Sequence, residues 1–272
     1  MISSWLVFLV SMAGGCVGAM TSTGGGLILI PVLTLCGVDI KHAIALSPLA
    51  MIVVSCSATS HYVRRHLPNF KVAAYLEIFA VLGSVTGASL IIASGRRLLF
   101  WFCGGILLFS GLVLLRRRTE PWTNPLHPEM LSERLGFSGS YYDEVEQRTI
   151  AYHGRRAGWS GLLMFLAGLG VGSSGLSVLI HDSVIGLPPK VSVTTSNLII
   201  GVMALAGASI YLEAGLIDLS LAVPVILGTL VGALIGARLL IDLTNRSARR
   251  VFFVALILLG VQLLIRAWLG AV

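Results

Sequence analysis

Charge is what this chain lacks. Only 11% of its 272 residues are Asp, Glu, Lys or Arg, where soluble domains carry about 25%, and 56% are hydrophobic. Mean hydropathy is +0.92. That balance excludes an ordinary soluble domain and leaves room for about eight to ten apolar segments of helical length plus one loop. Acidic groups are the scarcer sign, 12 against 19 Lys and Arg, for a net charge of +7. The basic residues cluster between apolar runs, which suits an anionic membrane surface and gives no reason to expect nucleic acid. Cysteine is scarce too: Cys16, Cys36, Cys56 and Cys103 lie in apolar runs without metal-ligand spacing and read as small packing residues. No metal or cofactor is expected. An intramembrane enzyme would need a nucleophile beside a base, paired acids, or an H-E-x-x-H helix. The sequence has none of these, so it is not read as an enzyme. Met1 to Val10 contains no basic residue, so no cleaved signal peptide is expected.

What is present is ten apolar segments, five in each half, which predicts an all-α polytopic membrane protein. The first half gives Ser4–Met20, Leu27–Val38, Ala43–Val63, Val72–Ser94 and Leu98–Leu115. The second gives Trp159–Val171, Leu176–Leu187, Ser192–Leu212, Leu219–Leu240 and Val251–Ile265. The second segment of each half is too short for an ordinary span and reads as a half-helix or re-entrant piece. Three regions follow: a first transmembrane repeat over 1–118, a charged cytoplasmic loop over 119–157, and a second repeat over 158–272. The loop is rich in Pro, Glu and Arg, and is expected to form short amphipathic pieces or a linker at the surface, with no chemistry of its own.

A shift of 149 positions superposes the halves without a gap. It aligns Gly26 with Gly175, Lys41 with Lys190, Ser47 with Ser196, and Tyr62 with Tyr211. It also aligns Gly83 and Gly87 with Gly232 and Gly236, small-xxx-small pairs that allow close helix packing. Charge favours an inverted relation. With 64–71, 116–156 and 238–250 facing the cytoplasm, fourteen Lys and Arg lie inside, against Arg96, Arg97 and Arg266 outside. Inversion needs an odd number of crossings per half: five spans, or three spans plus a hairpin of half-helices.

Thr21-Ser22-Thr23-Gly24-Gly25-Gly26 interrupts the first half between apolar runs, and Gly170-Val171-Gly172-Ser173-Ser174-Gly175 is its weaker twin. Unsatisfied main chain in lipid costs several kcal/mol per group, so such a break survives at membrane depth only inside protein or against a wet cavity. Paired breaks in two halves point to a transporter's site; the alternative is a pair of plain loops at the membrane surface. Helix N-termini and hydroxyls suit a small anion. The candidate ligands are Thr21, Ser22, Thr23, Gly24, Gly25, Gly26, Ser173, Ser174 and Gly175, with Ser47, Thr194, Thr195, Ser196 and Asn197 at the starts of the third segments. The same hydroxyls also serve commonly as glue between membrane helices. Lys41 and Lys190 either snorkel at the interface or attract the anion at each mouth. His181 and Asp182 stand in an apolar run, where they either carry a coupling proton or make a structural hydrogen bond. Glu77 reads as lying near the interface, and His61, Tyr62 and Tyr211 as boundary residues.

The run Gly24-Gly25-Gly26-Leu27-Ile28-Leu29-Ile30-Pro31, then Gly37 and Ala45-Leu46-Ser47, with a charged mid-chain loop and a weaker second copy, resembles the TauE/SafE family. These are sulfite-exporter and sulfonate-permease-like proteins, also called the 4-toluene sulfonate uptake permease family. The resemblance covers nearly the whole chain except Arg116–Gly158. It implies secondary transport of sulfite, sulfonates or related small anions across the bacterial inner membrane. The expected partners are that anion, membrane lipid and a coupling proton or ion, and an assembly of identical chains is compatible with it. The second copy departs from the pattern: Ser173-Ser174 replaces two glycines, and His181-Asp182 stands where the first copy has Val32-Leu33. The alternative function is a non-transporting membrane scaffold or assembly factor.

Overall fold

The structure, a computed structural model, describes residues 4–21, 24–116, 129–143, 147–170, 174–242 and 246–269. Within them the chain is about 80% helical. The first half comprises α1 (Ser4–Thr21), α2 (Gly26–Leu35), α3 (Ile40–Val63), α4 (Phe70–Ala93) and α5 (Arg96–Arg116). A short helix α6 (Met130–Arg134) and an antiparallel hairpin, β1 (Gly139–Asp143) and β2 (Arg148–Tyr152), follow. The second half comprises α7 (Ala157–Leu169), α8 (Ser174–Leu179), α9 (Pro189–Glu213), α10 (Leu219–Asp242) and α11 (Arg246–Leu269). Directly after α8 the helix widens into a π-helical stretch, Ile180–Ile185. Among the described residues four helices are long and apolar enough to cross a membrane: Ile40–Val63, Phe70–Ala93, Pro189–Glu213 and Leu219–Leu239.

Polar residues at the helix ends set the boundaries. Asp39 accepts from the Lys41 N–H at 2.9 Å to open α3, and Asn69 accepts from the Lys71 and Val72 N–H groups to open α4. Pro189 opens α9, where a missing N–H costs nothing. Pro48 inside α3 leaves the Ile44 carbonyl without its helical donor, and the Ser47 hydroxyl supplies one at 2.9 Å.

The helices segregate two ends of the bundle. At one, the Asn69 N–H donates to Thr195 Oγ1 at 3.0 Å, and Arg155 N–H to the Ile185 carbonyl at 3.0 Å. At the other, Arg96 pairs with Asp39 at 2.8 Å, and Lys41 Nζ donates to the Ile92 carbonyl at 2.9 Å. There too Arg97 reaches the Ala267 carbonyl, and Arg266 the Thr34 carbonyl at 2.7 Å. α1 packs on α10 and α4 on α7, while α3 faces α9 and α5 faces α11. The last two pairs run antiparallel: Arg97 meets Ala267 whereas Gly104 meets Leu264, and Ile40 and Ile44 cluster with Tyr211 whereas Tyr62 and Asn197 share the Ala19 carbonyl.

The glycine pairs of the fourth segments are close-packing surfaces. A Cβ on Gly232 would lie 1.9 Å from the Met12 carbonyl oxygen of α1, and one on Gly236 2.1 Å from that of Cys16. On α4, Gly83 and Gly87 would meet the Phe165 and Leu169 carbonyls of α7 at 2.2 and 2.4 Å.

The structure refines three expectations. Of the two forms expected for the mid-chain loop, short amphipathic pieces are present among the described residues: alternation along β1 buries Tyr141 and Asp143, and Phe137, Tyr141 and Tyr152 join one apolar cluster with Leu76, Leu187 and Val191. Tyr62 and Tyr211 stand near the ends of their spans, but inside the bundle. Both are enclosed, because α1 and α10 cover the end of α3 and α5 and α11 cover that of α9, and Tyr62 Oη donates to the Ala19 carbonyl at 3.2 Å. Glu77 lies not at the interface but within α4, facing α9.

Candidate substrate site

Gly24, Gly25 and Gly26 of the first break are buried. Gly24 and Gly25 have φ of 65° and 75°, a left-handed conformation that L side chains adopt only with strain. Neighbouring backbone is also close: a Cβ on Gly18 of α1 would lie 2.3 Å from Gly25 N, and one on Gly24 2.7 Å from Met51 Cγ. Gly26 opens α2 against Ser47, whose Cβ lies 2.9 Å from where a Gly26 Cβ would stand. Thr21 is the last residue of α1. Ser22, Thr23 and Ser173 lie outside the described residues. Ser174 and Gly175 begin α8, and their side-chain positions are likewise outside the description.

Every third-segment candidate is fully enclosed: Ser47, Thr194, Thr195, Ser196 and Asn197 all have 0% exposure. Their partners differ. Ser47 donates to its own helix, and so does Thr194, to the Lys190 carbonyl at 2.9 Å. Thr195 holds the Asn69 main chain, and Asn197 Nδ2 donates to the Ala19 carbonyl at 3.2 Å. The Ala19 carbonyl therefore receives both Tyr62 and Asn197, joining α1, α3 and α9 just before the break. The Asn197 Oδ1 is buried with no hydrogen-bond partner.

His181 sits in the π-helical stretch with 0% exposure. Its Nδ1 lies at the Ser177 carbonyl and 3.0 Å from Ser196 Oγ. Through these two contacts the ring ties the second short helix to α9. Asp182 beside it is half-buried. Lys190 Nζ pairs with Asp143 Oδ1 at 2.9 Å, which binds the hairpin to the start of α9. Lys41 caps the Ile92 carbonyl at the opposite end. The hairpin is held further by Asn69 Nδ2 donating to Tyr152 Oη at 3.1 Å. Burial pushes the Tyr152 hydroxyl above the usual phenol range, the Asn69 hydrogen bond acting against it.

A cavity of about 20 Å³, room for one water-sized occupant, opens beside the second break. Pro48 and Met51 of α3, Ser84 of α4, Gly168 and Gly170 at the end of α7, and Tyr211 of α9 line it. The Tyr211 hydroxyl has no hydrogen-bond partner. Sequence reasoning took Tyr211 for a boundary residue and passed over Ser84. The 149-residue shift held a signal for the first, because it equates Tyr211 with Tyr62 and Gly168 with Ala19, Tyr62's acceptor.

Comparison with known proteins agrees with this architecture. The family profile described as Sulfite exporter TauE/SafE matches residues 7–263. The chain is 24% identical over 269 residues to the probable membrane transporter protein YunE of Bacillus subtilis (strain 168), covering 95% of this chain and 96% of that protein. It is 28% identical over 245 residues to the probable membrane transporter protein YdhB of the same organism, covering 86% and 89%. No solved structure matches it. A multi-pass helical protein of the bacterial inner membrane, this chain belongs to the TauE/SafE sulfite exporter family of membrane transporters.

Proposed function

We propose that this transporter carries one small sulfur oxyanion, sulfite or a sulfonate, bound between two inverted repeats at the glycine-rich breaks. The observation that carries the reading is the depth of the first break. Gly24 packs on Met51 and Ile200, each the twelfth residue of its helix, out of 24 in α3 and 25 in α9. The N-terminus of α2 opens at that level, and the positive end of a helix dipole favours an anion. Enclosed neutral donors lie near it: Ser47 beside Gly26, and Asn197 at the Ala19 carbonyl just before the break, with Ser196 next to Asn197 on α9. Ser47 and Asn197 now donate to carbonyls, and a bound oxyanion exchanges those acceptors for stronger, charged ones. The antiparallel course of α3 against α9 and of α5 against α11 supports inversion, because mates under the 149-residue shift run parallel in an uninverted pair. Lys41 and Lys190 close the two ends of the bundle through the Ile92 carbonyl and Asp143.

Calorimetry on purified protein tests the site with sulfite, a sulfonate and a carboxylate of similar size. A hydrogen bond to a charged group contributes about 1.5–3 kcal/mol, so Ser47→Ala or Ser196→Ala weakens binding roughly ten- to a hundredfold. Gly25→Leu blocks binding, since its φ is 75° and its Cβ would meet the Gly14 carbonyl at 2.9 Å. If all three variants fold and bind like the parent, the anion sits elsewhere.

A further inference from the structure

Glu77 takes no part in the anion site, yet it is an acid inside a membrane-crossing helix. It stands seven residues after Phe70, about 10 Å from the start of α4 at 1.5 Å per residue. Its Oε1 is enclosed and has no hydrogen-bond partner, and its carboxyl faces the Met203 main chain of α9. Ala73, Leu76, Ala80, Ile199, Ile200 and Met203 form the apolar cluster in this region. Ionisable groups inside membrane spans are rare and mark ion and proton paths. An ionised carboxylate with one oxygen unsatisfied is costly among such neighbours, and binding a proton removes the charge.

The groups facing it are few. α4 packs on α7 and α9, and α7 carries no titratable residue. On α9, Lys190 is paired with Asp143 at the helix start, Tyr211 lines the cavity, and Glu213 is exposed at the far end. On α4 itself, Lys71 is exposed, and Tyr75 packs its ring on Phe79 and Phe137. Met203 also borders the water-sized cavity, where Ser84 Oγ donates to its carbonyl at 2.8 Å. The carboxyl and the cavity thus share one residue of α9.

We propose that Glu77 is the proton-binding group that couples anion movement to the proton gradient. The inference rests on the transport reading above. The carboxylate takes one proton from one aqueous face, becomes a neutral acid, and releases that proton to the other face. No bond to the anion forms.

Glu77→Gln keeps the shape and fixes the neutral state. Infrared difference spectra across a pH step, taken on purified protein without substrate, are expected to show a carboxylic-acid carbonyl band in the parent that E77Q lacks. In proteoliposomes, E77Q is expected to retain exchange of radiolabelled sulfite for unlabelled sulfite and to lose accumulation driven by an imposed pH gradient. Glu213→Gln, which neutralises the exposed acid at the far end of α9, should by contrast keep that accumulation. Identical infrared differences in parent and E77Q overturn the proposal, and so does gradient-driven accumulation in E77Q at the parent's level. Should the parent move no sulfite, the substrate assignment fails, and the infrared band alone decides whether Glu77 binds a proton.

Discussion

Replacing Gly232 by alanine tests whether α1 and α10 touch through their main chains. The added methyl would stand 1.9 Å from the Met12 carbonyl oxygen and 2.8 Å from Cys16 N. Carbon and oxygen settle near 3.5 Å, so the helices must part by roughly 1.5 Å along that contact. Overpacking of this kind costs about 1–3 kcal/mol, against a gain of about 0.5–1 kcal/mol from removing a helical glycine. A control separates the two effects. Gly105 of α5 is exposed, and a Cβ there meets nothing within 4 Å, so Gly105→Ala keeps only the gain. The two variants are therefore expected to differ by about 2 kcal/mol with opposite signs relative to the parent. Thermal unfolding in detergent at one scan rate, followed by circular dichroism, reads this as a midpoint several degrees lower for G232A. It reads G105A as unchanged or slightly higher. If G232A melts with or above G105A, the α1–α10 contact is not the tight one described.

Lys190→Met takes the ammonium 2.9 Å away from the 7%-exposed Asp143 carboxylate, while Lys190 itself is about a third exposed. A loss of about 1–3 kcal/mol is expected, mostly recovered in the Lys190→Met/Asp143→Asn double variant; additive losses in denaturation would deny the coupling. Asp218 accepts from the Ser220 N–H at 2.9 Å, and these hydrogen bonds hold its carboxyl below the usual range. Its capping contribution is present above the ordinary aspartate pKa and is lost as pH falls through the lowered folded value. Asp218→Ala should accordingly lower the melting midpoint at neutral pH and match the parent in strong acid, and an equal deficit at both pH values would remove the carboxylate from the account. For topology, Ser140→Cys in a cysteine-free background is expected to react with an impermeant thiol reagent only after the inner membrane is opened. Glu213→Cys should react from outside, and Ser140→Cys reacting from outside as well would refute the cytoplasmic placement of the hairpin.

The sequence by itself determined the membrane class, the helical segments to within a few residues, and the break at Gly24–Gly26. Those features are local. A low charge fraction is a bulk property, and three consecutive glycines announce special backbone wherever they fall. The close-packing pairs Gly83/Gly87 and Gly232/Gly236 were legible for the same reason, since a missing side chain leaves few other uses. Which face of each helix looks inward was not written there. These helices are apolar on all sides, so lipid and protein interior select the same residues; on α4, Leu76 is enclosed while Leu82 and Leu90 are exposed. Only the tertiary arrangement decided that Tyr62 and Tyr211 are enclosed and that Glu77 turns towards α9. The docking of the charged mid-chain segment through Phe137, Tyr152 and the Lys190–Asp143 pair also belongs to it. Each of those depends on contacts between residues far apart in the chain, formed after the helices exist, and no local pattern encodes the partner.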